Sequence, residues 1–185
     1  MSEDLRVIKT KKAIEDALLS LLEIMPFSKV RMIHIAEKAM VNRNTIYLHY
    51  NSKEEIVISI ISRQFSDNYS ELSPENLFPT RYNIIAIRNG FKKMLSIIEQ
   101  NIDLYRITLM DNNLSGYVKI FIDRIKDTLY SNLKPTKKNL LGVEYIVNGA
   151  YGVVSRWIIY ATGDIDEVTN ILVDFTLPEL RRLRR

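Results

Sequence analysis

The stretch Arg31–Tyr50, RMIHIAEKAMVNRNTIYLHY, carries the clearest structural pattern in the chain. Its apolar residues have the spacing of the inner faces of two short helices, namely Ile35, Ala36 and Ala39 in the first helix and Ile46 and Tyr50 in the second. The alanines allow the second helix to cross the first closely, and Val41 plugs the turn between them. Two short helices joined by a turn of about three to four residues form a helix-turn-helix, and the stretch predicts this motif.

The outward residues of the second helix favour binding to double-stranded DNA. Asn42 is a good N-cap for this helix. Arginine can read guanine through two hydrogen bonds and asparagine can read adenine in the same way, which makes Arg43 and Asn44 candidates for base contacts. Thr45, Tyr47, Leu48 and His49 offer further polar groups and an apolar tip. The N-terminal end of the second helix enters the major groove in such motifs, and the pattern therefore predicts a DNA-binding surface.

The rest of the chain reads as helical, and the predicted fold class is all-α. Apolar residues recur at three- and four-residue spacing nearly throughout, and all six glycines lie at position 90 or later. The predicted helices cover 7–25, 32–39, 43–49, a segment opened by a capping box of Ser52 and Glu55, 81–100, 102–110, 116–133, 137–162 and 165–176. Gly163 is expected to stop one helix, with Asp164 and Glu167 opening the next, and Pro178 is expected to end or kink the last one.

This layout divides the chain into three parts. Residues 1–51 are expected to form a three-helix head with the helix-turn-helix motif at about 31–50. Residues 52–80 form a connecting helix and a linker, of which 71–80, with Pro74 and Pro79, is the clearest part. Residues 81–185 form a larger helical body.

Composition excludes several classes of site. The chain has no cysteine, which removes disulfides, thiolate metal sites and cysteine nucleophiles. His34 and His49, its two histidines, are too far apart in sequence to suggest a metal site, and we find no nucleophile motif or phosphate loop. We therefore expect no cofactor, no metal and no enzymatic activity.

Net charge is a weak indication of DNA binding, whereas hydropathy indicates a soluble protein. Arginines 181, 182, 184 and 185 account for the whole net charge of +4, which makes overall charge a weak argument for DNA binding. The most apolar runs, 56–61 and 146–161, are short or interrupted by Asn148 and Arg156. Because neither run can span a bilayer, we expect a cytoplasmic protein without membrane contact.

The run IAEKAMVNRNTIYLHYNSKEEI, residues 35–56, resembles the signature of the TetR (tetracycline repressor) family of regulators. The matching positions are Ile35, Ala36, Ala39, Val41, Thr45, Tyr47, His49, Tyr50, Ser52 and Lys53. The resemblance extends over residues 9–60 and is weaker in the remainder. There the segment GVVSRWIIYATG, residues 152–163, resembles a subgroup that contains dihydroxyacetone kinase regulators.

The resemblance implies a transcription regulator, expected to be a repressor, that binds a near-palindromic operator. It makes Arg31 and Ile33 the DNA-facing start of the helix before the turn and assigns phosphate contacts to Tyr47, His49 and Lys53. It also implies a homodimer formed by the last two long helices and a pocket for a small-molecule effector in the body. Candidate pocket residues are Tyr105, Tyr145, Asn148 and Tyr151, although aromatic and polar residues on a long helix more often belong to a core or an interface.

The chain departs from the family pattern at three positions. Met40 stands where the family has a glycine in the turn, Asn44 where a small residue is usual, and Arg31 where threonine is common. If the turn keeps the family's backbone, Met40 is expected to be strained in the left-handed region, with apolar cover for its side chain near the first helix. The alternative is a rebuilt turn with ordinary dihedral angles. The base preference cannot be carried over from relatives.

Three alternatives stay open at this point. A helical interaction protein could keep the helix-turn-helix shape and bind another protein, and it would lack salt-sensitive binding to its promoter region. A TetR-like activator could work without a small-molecule ligand. A helical enzyme would show turnover that a single carboxylate or histidine substitution abolishes.

Overall fold

The computed structural model describes residues 5–67 and 83–183. Within these ranges the regular elements are helices and no strand occurs, which confirms the all-α prediction. The helices are α1 (Leu5–Leu22), α2 (Met32–Lys38), α3 (Arg43–His49), α4 (Lys53–Asp67), α5 (Ile84–Gln100), α6 (Ile102–Met110), α7 (Ser115–Ser131), α8 (Lys137–Tyr160) and α9 (Ile165–Leu183), with a 3₁₀ turn at Phe27–Lys29. None of these helices is long and apolar enough to cross a membrane. The predicted linker at 71–80 and arginines 184 and 185 lie outside the described residues.

The chain folds as two compact units, residues 1–66 and residues 67–185. In the first unit α2 packs against both α1 and α3. In the second, α9 packs against α5 and α8, and α8 also packs against α6 and α7. The helix expected to act as a connector, α4, belongs to the first unit through residue 66. The division of the chain at residues 51 and 80 stays a prediction.

The core of the first unit is built from the predicted apolar positions. Ile14 and Leu18 of α1, Ile35 of α2 and Ile46 of α3 have no exposed surface. Full burial of each of these side chains contributes about 1.5–3 kcal/mol. Helix α1 ends at Leu22, three residues earlier than predicted. The amides of the next residues turn back onto the carbonyl of Leu21, because the proline at position 26 disfavours helical geometry just before it.

The last helix passes through Pro178, and the expectation that this proline would end it is wrong. A proline inside a helix costs about 3 kcal/mol, because it removes one backbone hydrogen bond and crowds the preceding turn. Leu177, Leu180 and Leu183 are all buried on the inner face of α9. Burial of these three leucines outweighs that cost and carries the helix to Leu183.

The turn between α8 and α9 uses two residues with positive φ. Helix α8 ends at Tyr160, and Ala161 is its left-handed C-cap at φ 50°, followed by Gly163 at φ 88°. The amide of Glu167 donates to Oδ1 of Asp164 at 2.8 Å, as expected for the start of α9. Gly163 therefore lies in the turn after α8 as predicted, but the C-cap of α8 is Ala161, which the sequence pattern did not predict.

Candidate functional sites

Helices α2 and α3 form the predicted helix-turn-helix. The amide of Val41 donates to the carbonyl of Ala36 at 3.0 Å, and that of Met40 donates to Glu37 at 3.1 Å, which closes the turn. Oδ1 of Asn42 accepts from the amide of Asn44 at 2.8 Å, so Asn42 is the predicted N-cap of α3. The motif is therefore a tight and locally capped unit.

Met40 has φ 55°, and the predicted left-handed backbone at this position is confirmed. The apolar cover expected for its side chain is wrong, since Met40 is 93% exposed. The interior of the motif is already filled by Ile35 and Ile46, which are fully buried. The side chain of Met40 therefore projects from the turn into solvent.

The exposed face of α3 carries side chains that have no partner in the described part of the chain. Arg43 and Asn44 are exposed, and neither side chain hydrogen-bonds to another described residue. Tyr47 and Leu48 are also exposed, at 45% and 80%. Thr45 and His49 are half-buried at the edges of this face. Because this face contributes little to packing, its side chains are available to an external partner.

The other predicted DNA contacts already take part in local structure. Nζ of Lys53 donates to the carbonyl of Phe27 at 2.7 Å and lies 4.2 Å from the centre of the Phe27 ring. Arg31 caps α2, and its guanidinium lies 2.8 Å from Nε2 of His34. Ile33 is 38% exposed beside them. Lys53 in particular anchors the start of α4 to the 3₁₀ turn, and two of its three ammonium protons stay available.

The two contacts that Arg31 makes with His34 need different tautomers of the imidazole ring. The backbone amide of Arg31 donates to Nδ1 of His34 at 3.3 Å, while the guanidinium approaches Nε2 of the same ring. A neutral imidazole accepts at only one of its two nitrogens, so the two hydrogen bonds exclude each other in any one tautomer. Each tautomer of His34 therefore accepts from either the backbone amide or the guanidinium of Arg31, and the guanidinium contact is the shorter one.

The centre of the first unit contains a buried carboxylate that the sequence analysis did not predict. Glu15 of α1 is 3% exposed, and its Oε1 accepts from the hydroxyls of Tyr50 at 3.0 Å and Ser59 at 2.7 Å. Its Oε2 forms a salt bridge with Arg63 of α4. Burial and the nearby charge of Glu15 raise the pKa of Tyr50 to about 12, because both disfavour the phenolate. The signal was present in the sequence, because Glu15 lies on the apolar face of α1 and a carboxylate there requires partners.

The capping box at the start of α4 differs from the prediction in one half. The amide of Glu55 donates to Oγ of Ser52 at 3.2 Å, as expected. The carboxylate of Glu55, however, accepts from the backbone amide of Asn51 at 2.7 Å rather than from that of Ser52. The side-chain amide of Asn51 also donates to the carboxylate of Glu55 at 3.2 Å. Glu55 therefore binds the residue that precedes Ser52 through two groups.

The four predicted effector residues have different surroundings in the second unit. Tyr105 of α6 is buried, and this burial raises its pKa. Tyr145 and Tyr151 are exposed on α8, at 71% and 38%. Asn148 is exposed and donates to Glu144 at 2.9 Å. Their role as a pocket stays a prediction.

Glu144 is the centre of a polar cluster between α7 and α8. It accepts from Nζ of Lys126 and from the hydroxyl of Tyr130, both at 2.7 Å, as well as from Asn148. The hydrogen bonds from Lys126 and Tyr130 hold the pKa of Glu144 below its usual value. The cluster joins the two helices and explains why the amide of Asn148 is already engaged.

An open groove of about 460 Å³ runs along α8 and α9. Its lining residues are Gly149, Gly152, Val153, Arg156, Trp157, Thr162, Val168 and Ile171. A Cβ atom added to either Gly149 or Gly152 would meet no atom of residues 5–67 or 83–183 within 4 Å. The packing of this chain therefore does not require either glycine, although each costs its helix about 1 kcal/mol relative to alanine.

The comparisons with known proteins agree with this geometry. The sequence model for bacterial regulatory proteins of the tetR family matches residues 14–60, which contain α2, α3 and the start of α4. The chain is 22% identical over 154 residues to the uncharacterized HTH-type transcriptional regulator YxbF of Bacillus subtilis, covering 78% of this chain. It is 27% identical over 161 residues, 79% of this chain, to a UPF0182 protein of Clostridium kluyveri. The chain spans only 38% and 17% of the lengths of these two relatives.

Solved structures resemble the whole described fold. The dihydroxyacetone kinase operon activator DhaS superposes with a TM-score of 0.68 at 16% identity, over 95% of this chain and 98% of that one. Thermus thermophilus FadR, a TetR-family repressor in complex with lauroyl-CoA, gives a TM-score of 0.61 at 18% identity, over 90% and 93% of the two chains. At these identities the similarities establish the fold. Residues 14–60 thus match the tetR family of bacterial regulatory proteins over the helix-turn-helix, and the fold of the described residues is similar to that of TetR-family regulators.

Proposed function

We propose that this regulator recognises its operator through the exposed face of α3. The observation that carries the proposal is the pair Arg43 and Asn44, exposed and without side-chain partners among the described residues. Their chemistry suits guanine and adenine edges in the major groove. Thr45, Tyr47 and His49 lie beside them and are proposed to contact phosphates, with Asn42 presenting the start of the helix.

Arg31, Ile33 and Lys53 are proposed to flank the same DNA surface. Lys53 and Arg31 would supply positive charge to phosphates, which adds affinity without sequence preference. Because Lys53 also holds Phe27, its proposed role combines DNA affinity with stability of the head.

The operator experiment separates these roles. An operator is first selected from randomised duplexes with the wild-type protein, and dissociation constants are then measured at several salt concentrations. We expect Arg43→Ala and Asn44→Ala each to weaken binding by about 1–3 kcal/mol and to relax preference at one position of each half-site. Lys53→Ala should weaken all sequences alike, reduce the salt slope by about one unit and lower the free energy of unfolding by about 1–2 kcal/mol.

Arg124→Ala provides a matched control, because Arg124 is an exposed arginine on α7 in the other unit. Its operator affinity and base preference should stay at wild-type values. Identical specificity profiles for Arg43→Ala and Lys53→Ala would refute this division of roles. Absence of any salt-sensitive DNA binding would favour a helical interaction protein instead.

We also propose that a second copy of the chain covers the groove along α8 and α9. The two groove glycines leave open space that no residue of the described ranges fills. Leu141 and Tyr145 of α8 and Phe175 of α9 are all more than 60% exposed, which adds apolar surface suited to another protein. A two-fold dimer presents two recognition helices to half-sites about 34–36 Å apart, which is the reason to expect a near-palindromic operator.

Control by a small molecule is the remaining part of the proposal. Tyr105 is the best placed of the four candidate residues to line an internal site, since it is buried in the second unit. Tyr145, Asn148 and Tyr151 lie at the surface of α8, where contacts with the second copy are also available to them. Native mass spectrometry of the purified dimer should reveal a retained ligand, and a ligand-free dimer that still regulates would support the alternative without an effector.

We propose repression as the direction of control. Of the similar structures, FadR is a repressor, whereas DhaS is an operon activator. A reporter placed behind the selected operator distinguishes the two, because deletion of a repressor raises expression and deletion of an activator lowers it.

A further inference from the structure

Leu48 is the one strongly exposed aliphatic side chain on α3. It is 80% exposed, while the other aliphatic residue of the helix, Ile46, has no exposed surface and anchors α3 to the core. Leu48 is therefore not needed to hold the helix in place. A single exposed leucine is ordinary on most protein surfaces, but this one lies on the face that also carries Arg43 and Asn44.

Asn44 and Leu48 are four residues apart and share one side of the helix. Four residues advance about 6 Å along a helix axis, which is close to two base-pair steps of about 3.4 Å each. A helix lying in the major groove would thus bring Leu48 to a base edge within about two steps of the base that Asn44 contacts.

Among the groups that distinguish base pairs in the major groove, the C5-methyl of thymine is the apolar one. The others are hydrogen-bond donors or acceptors, which a leucine would desolvate without compensation. We infer that Leu48 reads the C5-methyl group of a thymine in each half-site, within about two steps of the base read by Asn44. The inference rests on the proposed function of α3.

The test removes the methyl group from the DNA and the leucine from the protein in turn. In the selected operator each thymine is replaced singly by uracil, which keeps base pairing and lacks only the methyl group. At one position per half-site, uracil should weaken binding of the wild-type protein by about fourfold, the effect of one buried methyl group. In Leu48→Ala the same replacement should have no effect, while other base preferences remain.

Ile24→Ala is the control, because Ile24 is a similarly exposed aliphatic residue of the same unit that lies outside α3. This variant should keep the wild-type sensitivity to uracil. Thermal melting checks that Leu48→Ala is folded, as expected for so exposed a side chain. The inference is overturned if no uracil replacement weakens the wild-type protein, or if the effect persists in Leu48→Ala. A protein that selects no DNA sequence at all overturns the proposed function as well, so the two failures are distinct.

Discussion

Helix α3 and the groove along α8 and α9 are both exposed, but their surfaces have opposite chemistry. The face of α3 presents a guanidinium, an amide and a phenol around one leucine. The groove presents mainly apolar side chains and two glycines, with Arg156 and Thr162 at its polar positions. The first surface suits a hydrated, charged polymer that offers hydrogen bonds. The second suits the apolar surface of another protein.

The interiors behind the two surfaces differ as well. Behind α3, the carboxylate of Glu15 receives hydrogen bonds from two hydroxyls and a guanidinium, and so ties together α1, the end of α3 and α4. Trp157 and Val168, which line the groove, are buried and belong to an apolar core. Directional polar contacts at Tyr50 therefore add to the burial of Ile46 in holding α3, whereas apolar packing supports the groove.

The largest expected effect is the loss of stability when the buried carboxylate of Glu15 is removed. Glu15→Ala should lower the free energy of unfolding by about 2–4 kcal/mol, because the hydroxyls of Tyr50 and Ser59 lose their charged acceptor and keep only the hydrogen bond of 3.1 Å between them. Arg63 adds less, since its side chain is 45% exposed and regains water. Urea denaturation measures the loss, and Asp16→Ala, an exposed carboxylate on the same helix, is the matched control. A loss below about 0.5 kcal/mol would show that Glu15 does not hold the head together.

Substitutions in the groove are expected to have smaller effects, which are opposite for the stability of α8 and for the stability of the dimer. Replacing Gly149 and Gly152 by alanine should stabilise α8 by about 1 kcal/mol per site, because neither new Cβ meets an atom of the described residues. The same two methyl groups should weaken the dimer by blocking close approach of the second copy. Sedimentation at several concentrations measures the dimer dissociation constant.

Gly116→Ala is the control that separates the gain in helix stability from the effect on the dimer. Gly116 lies on α7, and a Cβ added to it would also meet nothing within 4 Å in the part of the chain that the structure describes. This control should gain helix stability and leave the dimer unchanged. If the double groove variant dimerises as tightly as the wild type, the groove is not the contact surface between copies.

The smallest expected effect concerns the turn that presents α3. Met40→Gly should be neutral or stabilising by up to about 1 kcal/mol, since relief of left-handed strain opposes the entropy that glycine adds to the unfolded chain. The exposed methionine side chain has no packing to lose. Met40→Val should be destabilising, because a β-branched residue tolerates φ 55° poorly. Thermal melting ranks the three proteins, and a Met40→Gly variant clearly less stable than the wild type would contradict the strain argument.

The sequence by itself was sufficient for the helix-turn-helix, because that motif is local. Its two helices, its turn and the Asn42 cap depend on residues within one stretch of about twenty, where helical spacing and capping preference point to the same structure. The left-handed backbone of Met40 was expected on a different ground, the resemblance to a family that has glycine at this position of the turn. The side chains that lie on the exposed face of α3 follow directly from the helical period.

Tertiary structure decided what depends on residues distant in sequence. The partners of Glu15 come from α3 and α4, the passage of α9 through Pro178 depends on burial of Leu177, Leu180 and Leu183, and the anchoring of Lys53 depends on the carbonyl of Phe27. Local propensity is worth a few tenths to about 1 kcal/mol per residue, whereas burial and buried hydrogen bonds are worth several times more. Where the two conflict, as at Pro178, packing prevails over the local preference, and packing cannot be read from a single stretch of sequence.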